Sequence, residues 1–486
     1  MSQKVSTSKM FGYSLGDASI SITMNGIGNF AMLFYTQILG MNAVHAGLAL
    51  SITTLWDAIS DPLMGHISDH TRSRTGRRLV YLIPGGLLMA VSFWLLWVLP
   101  QNAGSPTGIF WAVLLLNLLL RTALTVFMVP HTALGFELCS TYVSRSKLQG
   151  MRNFVNQMTN LIFGALAWTL FFKDGTAEDG SRIDGTLIAD NYLSMAISLA
   201  AVIILVLVIY RICVNSCRED TRERAFEGGT LGGFFRSMAA IFSDKLAWFV
   251  FGLVGFSLLA MLLVSQVQMF TYVYFMEFDE LEKTLVHGAG MLAAALGSLF
   301  ALPWLVAKYE KKGAAYISIA MSCFGGVMLS VIFNGGLLQP GQELSSIPIA
   351  TVVFGGLQAI WWGGAGILVA LAMSMIADIA EVTMLKKGEQ KDGAYSSTLI
   401  FFQKAAMSFG LLLTGGMVEY AGIDPMSNTQ TAEALRNISM LTFLSGPLLM
   451  VLAFVVIVRY PVDRRYLDAL RSAAANVASV PQSANK

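Results

Sequence analysis

Apolar runs of about twenty residues recur along the whole chain, and they leave it few folds to adopt. A run of that length crosses the hydrocarbon core of a bilayer as a helix. Inside lipid every backbone N–H and C=O must find its partner within the chain, which a helix achieves by itself. We place such runs at 11–38, 46–66, 79–99, 109–137, 150–172 and 192–212. After a polar stretch they resume at 246–275, 285–307, 313–335, 348–385, 394–421 and 437–459. The reading is an all-α membrane protein of twelve transmembrane helices. Composition agrees, since only 13% of the 486 residues are charged against about 25% in a soluble domain.

The loops assign an orientation. Lys and Arg gather in every second connection: Arg72, Arg74, Arg77 and Arg78; Arg145 and Lys147; Arg218, Arg222, Arg224, Arg236 and Lys245; Lys308, Lys311 and Lys312; Lys386, Lys387 and Lys391; and Arg464 and Arg465. The loops between them are nearly bare of both, and 173–190 sets Lys173 and Arg182 against five acids. By the positive-inside rule both termini are expected in the cytoplasm of a multi-pass protein of the cell (inner) membrane. Residues 1–10 show no cleavable signal pattern, so the first span is expected to direct insertion. The long basic connection divides the chain into an N-terminal half (1–212), a connecting loop (213–245), a C-terminal half (246–460) and a tail (461–486). Two halves of six spans is the major-facilitator arrangement, with its solute site near mid-membrane between them. Residues 466–486, rich in Ala, Ser and Asn, are expected to be mobile.

Several function classes drop out. No basic tract with interleaved aromatics points to nucleic acid. Cys139, Cys213, Cys217 and Cys323 fit neither a disulfide framework nor metal spacing. There is no P-loop, no metal-ligating His/Glu spacing and no nucleophile–base motif. We expect no enzyme and no cofactor, and a monomer whose partners are the bilayer, a small solute and a monovalent cation.

The informative residues are charges inside the spans. Span 2 carries Asp57, Ser60 and Asp61, followed by Pro62. One charge at the bilayer centre costs roughly 2.5–3.5 kcal/mol, and two carboxylates at i, i+4 share a helix face about 6 Å apart. Such a pair needs a proton or a cation. Pro62 lacks an N–H and leaves the Ala58 carbonyl without its helical donor, so the neighbourhood is rich in oxygen and suits a hard cation. Span 4 adds Arg121, Thr125, Met128 and Thr132 at helical spacing. Thr125 would complete a cation shell, while Arg121 would neutralise a span-2 acid or meet an anionic solute. Lys404 in span 11 needs a partner, and the span-2 aspartates of the facing half are the natural ones. Asp17, near the start of span 1, reads as a helix-end or gating residue, and one turn on Ser21, Asn25 and Asn29 form a polar stripe suited to hydroxyl-bearing ligands. His131 reads as a packed residue rather than a proton relay. Trp361 and Trp362 read as an interface anchor more than a sugar-stacking platform, and Tyr35 and Tyr395 as lining residues. On the cytoplasmic side Asp69, Arg72 and Arg77 form a topology anchor or a gate, which Glu137 with Arg152, and Asp378 with Glu381, would extend.

These residues carry a resemblance. Trp56-Asp57-Ala58-Ile59-Ser60-Asp61-Pro62-Leu63-Met64-Gly65, followed by Thr71 to Arg78, resembles the glycoside–pentoside–hexuronide:cation symporters of the major facilitator superfamily. Gly12 to Asp17, Ala133 to Glu137 with Ser146 to Arg152, and Ala377 to Glu381 with Gly393 to Tyr395 and Gln403-Lys404 agree with the same family through both halves. The resemblance implies a cation site at Asp57, Ser60, Asp61 and Thr125, a coupling lysine at Lys404, and sodium- or proton-coupled symport of a sugar, glycoside or sugar acid. The melibiose permease-like pattern has asparagine where Ser60 stands, an acid where Met128 stands and another near Ser21. Losing both acids while gaining Arg121 suits an acidic sugar. An uncoupled facilitator, or a carrier of a lysolipid-like amphiphile as in an animal branch of the superfamily, is the alternative.

Overall fold

The computed structural model describes residues 6–71, 73, 78–138, 142–176, 182–215, 231–343, 348–387, 392–424 and 430–478. The N-terminal half is built from α1 (Thr7–Leu33), α2 (Ala43–His70), α3 (Leu79–Val98), α4 (Pro106–Leu138), α5 (Tyr142–Phe171) and α6 (Ala189–Asn215). A short amphipathic helix, α7 (Leu231–Phe242), leads into α8 (Lys245–Phe270), α9 (Glu280–Leu296), α10 (Leu302–Leu329), α11 (Ile349–Lys387), α12 (Asp392–Ala421) and α13 (Ala432–Val458). A last helix, α14 (Arg464–Ala478), follows.

Starts are set by side-chain caps. Ser6 accepts from the Lys9 N–H, Asn42 from Val44 and His45, and Asp244 from Leu246. Asp279 and Glu282 form a reciprocal capping box on α9. Spans 1 and 7 both finish in a five-residue π turn, Phe34–Ile38 and Thr271–Phe275, at matching places in the two halves.

Among the described residues eight helical runs are long and apolar enough to cross a bilayer. One of them, Glu280–Asn334, holds 55 residues and breaks at Glu310, whose φ of 59° is foreign to a helix, giving two spans. The other long helices, α1, α2 and α5, carry the polar residues that turn inward. Twelve spans result.

Within the N-terminal half α1 packs on α5 and α6, α3 on α4 and α6, and α2 on α4. In the C-terminal half α10 and α9 pack on α11, and α8 on α13, α12 and α11. The halves meet where α12 lies along α2 and α9 along α5. We call the end where α1 starts and α13 finishes the terminal end, and the opposite one the far end.

The tail corrects an expectation. Tyr466, Leu467 and Leu470 fall on one face of α14 and pack into the core of the C-terminal half, so a segment that composition marks as mobile is docked through Leu470 and helical to Ala478. Residues 479–486 lie outside the described residues.

Candidate functional site

α2 presents Leu55, Ile59 and Leu63 outward, 45%, 53% and 43% exposed, and buries Asp57 and Ser60 on its other side. That inner face meets α4, where Arg121 and Thr125 are also buried. Arg121 Nη1 donates to Asp57 Oδ2 at 2.8 Å. Thr125 donates to Asp61 Oδ1 at 2.8 Å, and Ser60 lies 3.2 Å from the Thr125 hydroxyl. With its proton committed to Asp61, Thr125 accepts from Ser60. Lys404 of α12 reaches across from the other half and pairs with Asp61 Oδ2. Two carboxylates therefore face two cations, one from each half. Asp57 Oδ1 and Arg121 Nε are buried and have no partner.

Beside this cluster, on its terminal-end side, lies a cavity of about 480 Å³. Asp57, Asp61 and Lys404 form its polar edge, while Met128, Val129, Ala133, Ile400 and Phe401 supply apolar wall. Ala58 and Pro62 also line it, so the helix position whose carbonyl lacks a donor adjoins the cavity.

The remaining sequence candidates separate. Ser21 Oγ accepts from Asn156 Nδ2 at 2.7 Å, and Asn25 Nδ2 donates to Asn160 Oδ1 at 2.8 Å. Arg152 pairs bidentately with Asp17 at 2.9 Å, a partner within its own half. His131 is enclosed between Tyr210 at 2.8 Å and Asp17 at 3.3 Å, as expected of a packed residue.

Asp378 and Glu381 have partners on α10 and α14. Lys311 of α10 takes Asp378 at 2.6 Å, and Arg471 of α14 takes Glu381 at 2.7 Å. Trp361 is no interface anchor: it is 2% exposed and stacks edge-on with Trp362 inside the C-terminal half. Tyr395 donates to Asp244, tying α12 to the head of α8 instead of lining the cavity. Tyr35 is buried under Asn117. Arg72, Arg77 and the side chains of Asp69 and Glu137 lie outside the described residues.

Sequence reasoning missed the far-end closure. There Lys283 of α9 pairs with Asp184 of the 172–188 loop, with side chains 2% and 11% exposed. Arg182 donates to the carbonyls of Glu277 and Phe278 at 3.1 and 2.9 Å, holding Glu277 at a φ of 51° that few non-glycine residues adopt. Burial disfavours the Arg182 charge, but its bond to Asp174 and the negative charges of Asp174, Asp184 and Asp279 together outweigh that and raise its pKa above the usual value. Glu280 accepts from the Asp174 N–H at 2.7 Å, Asn42 donates to Glu419 at 2.8 Å, and Tyr274 donates to Gln37. Every one of these joins the two halves. The five acids of loop 173–190 were the available signal, read at sequence level as mere absence of positive charge.

Comparison with known proteins gives the family and the fold. A family model described as MFS/sugar transport protein matches residues 12–464. The isoprimeverose transporter of Lactiplantibacillus pentosus is 23% identical, covering 89% of this chain and 84% of its own length. The sodium-dependent lysophosphatidylcholine symporter 1 of Mus musculus is 24% identical, covering 98% and 90%. A bacterial homologue of the human lysosomal transporter Spinster, solved inward-facing and unoccupied, superposes with a TM-score of 0.65 over 96% of this chain and 97% of its own, at 14% identity. That last likeness concerns the fold alone.

Proposed function

Since this chain belongs to the MFS/sugar transport protein family, we propose that it is a secondary active symporter that couples sodium or proton entry to uptake of a sugar, glycoside or sugar acid. One observation carries the coupling. The acids sit on the N-terminal half and one of their two counter-charges, Lys404, rides on the other half.

When the halves separate along α2 and α12, Lys404 withdraws and Asp57, Asp61 and Arg121 are left with one net negative charge. A monovalent cation then fits among the Asp61, Ser60 and Thr125 oxygens and the unpartnered Asp57 Oδ1. When the halves close again, Lys404 returns to Asp61 and displaces the ion. Ion exchange and the rocking of the halves thus become one event. With the termini in the cytoplasm of an inner-membrane protein, the cavity faces inward and the closed far end faces the periplasm.

Proteoliposomes carrying Asp57→Asn or Asp61→Asn should fold normally and lose gradient-driven accumulation under both sodium and proton gradients. Concentrative uptake retained by both variants would sink the reading. A second reading, carriage of a lysolipid-like amphiphile, is favoured by the apolar wall of Met128, Val129, Ala133, Ile400 and Phe401. It expects lysophosphatidylcholine, and no saccharide, to drive cation entry.

A further inference from the structure

The charged cluster occupies one side of the space between the halves, and an uncharged network faces it from another. α1 is buried along most of its length: between Gly12 and Leu33 only Leu15, Met24, Asn25, Gly28 and Asn29 keep accessible surface. Gly28 is exposed near mid-span, with no atom within 4 Å of where a Cβ would stand. Its carbonyl is gripped at 2.5 Å by Gln266 of α8, from the other half. That accessible face therefore looks into the space between the halves and not into lipid. Met24 on the same face lies 3.7 Å from Arg121, so the face adjoins the cation site.

On this face the amides form a ladder. Asn25 Nδ2 donates to the Ser21 carbonyl at 2.7 Å and to Asn160 Oδ1 at 2.8 Å. Asn160 Nδ2 donates to Asn156 Oδ1 at 3.1 Å, and Asn156 Nδ2 to Ser21 Oγ at 2.7 Å. On α5 these asparagines lie two residues on from the exposed Phe154 and Met158, about 200° around the helix from its lipid face. Asn29 continues the stripe, and its amide nitrogen is a buried donor with no partner. An unpaired amide N–H away from water costs free energy unless a ligand takes it.

Charge is already balanced at this depth. Arg121 is matched by Asp57, Lys404 by Asp61 and Arg152 by Asp17. With Lys404 seated on Asp61, an anionic solute would meet no unmatched cation among these residues, and an unpaired buried anion is strongly disfavoured.

We propose that Asn25, Asn156 and Asn160, with Asn29 as a donor still without a partner, form the solute-selecting wall of this transporter, and that it favours uncharged hydroxyl-bearing solutes over carboxylates. The proposal rests on the symport reading above and replaces the acidic-sugar expectation drawn from Arg121, whose charge Asp57 consumes. Amides offer donor and acceptor together, the pairing that a sugar hydroxyl needs.

The test uses full-length protein in proteoliposomes under sodium and, separately, proton gradients. The probes are methyl β-D-glucoside, methyl β-D-galactoside, D-xylose, D-glucuronate and lysophosphatidylcholine. At least one neutral sugar should accumulate at least tenfold more than glucuronate. Asn156→Leu and Asn160→Leu should raise KM at least tenfold and change the glucoside-to-galactoside ratio, which a merely structural role would not move. Asn160→Gln serves if the leucine variants fail to reach the membrane. Glucuronate carried as well as the glucoside, or an unchanged ratio in the variants that fold, overturns the wall. Uptake of lysophosphatidylcholine alone overturns the wall and leaves symport standing. Silence from every probe under both gradients overturns the symport reading and the wall with it.

Discussion

The two ends of the molecule are built from opposite materials. At the far end the halves are joined by a buried ion pair, by carbonyls gripped by Arg182, and by helices close enough for backbone to touch backbone. A Cβ on Gly47 would lie 2.6 Å from the Leu411 carbonyl oxygen, and one on Gly415 would lie 2.4 Å from that of Ala43. A single buried apolar cluster there includes Phe30, Phe34 and Trp97 of one half with Tyr272, Phe278 and Phe354 of the other. On the terminal-end side of Asp61 a cavity of about 480 Å³ parts α2 and α4 from α12, and a second apolar cluster stays within the C-terminal half. The polar contacts of the closed end are ones that water can replace, so under the proposed alternating access its closure would be one state of the transporter.

Removing the buried cation should disturb this asymmetry most. Lys283 is 2% exposed and Asp184 is 11% exposed on their side chains, so the pair obeys the energetics of buried bridges, where losing one partner costs about 3–5 kcal/mol. The carboxylate keeps its bonds to the Thr186 N–H and hydroxyl, which trims that figure. Because Asp184 regains water when the far end opens, Lys283→Met should shift the closed-to-open ratio by about a hundredfold, each decade being 1.4 kcal/mol. Spin labels on Gln101→Cys and Gln342→Cys, in far-end loops of opposite halves, would report it as a longer distance. Adding Asp184→Leu should restore closure, and a distance unmoved by Lys283→Met would show that the seal lies elsewhere.

Next comes the backbone contact. Gly415→Ala should drive α12 off α2 and shift the same ratio about tenfold, whereas Gly416→Ala, whose Cβ meets nothing within 4 Å, should leave the distance unchanged. Equal effects at the two positions would mean that helix propensity, not contact, is being measured. At mid-span Lys404→Met removes the proposed internal competitor for Asp61. The half-saturating coupling-ion concentration should fall about fivefold while turnover drops, read from ion-dependent initial rates. A rise in that concentration would make Lys404 a helper of the ion rather than its rival.

What the sequence made legible follows the cost of misplacement. A charge in an apolar run is expensive, so Asp57, Asp61, Arg121 and Lys404 stood out, and their need for partners led to one cluster. Twelve spans were legible for the same reason. Asn156 and Asn160 were not, because a neutral amide in a span costs little and gives no signal until a second helix is set beside it. Lys283 and Asp184 were hidden differently: in a loop or a first helical turn, charges pass for solvated ones, and only the fold reveals that they are enclosed. Trp361 misled because a tryptophan pair reads equally as belt or as core, and the Gly446 that admits its indole lies on another helix. The tail misled because Ala and Ser outnumber the three apolar residues that anchor it.

The smallest effect belongs to that tail, at the terminal end. Arg471 and Glu381 pair at 2.7 Å, but their side chains are 52% and 30% exposed, and an exposed pair gains little once water and side-chain entropy are counted. The attachment of α14 rests instead on Leu467, 8% exposed, with Tyr466 and Leu470 packed beside it. Arg471→Ala should therefore leave both Tm and the far-end spin-label distance unchanged within error. Leu467→Asp, which sets a charge into the apolar contact, should free the helix to proteolysis while the far end stays closed. If Arg471→Ala alone released α14, or if releasing it opened the far end, the terminal end would be coupled to the seal by more than the rocking of the halves.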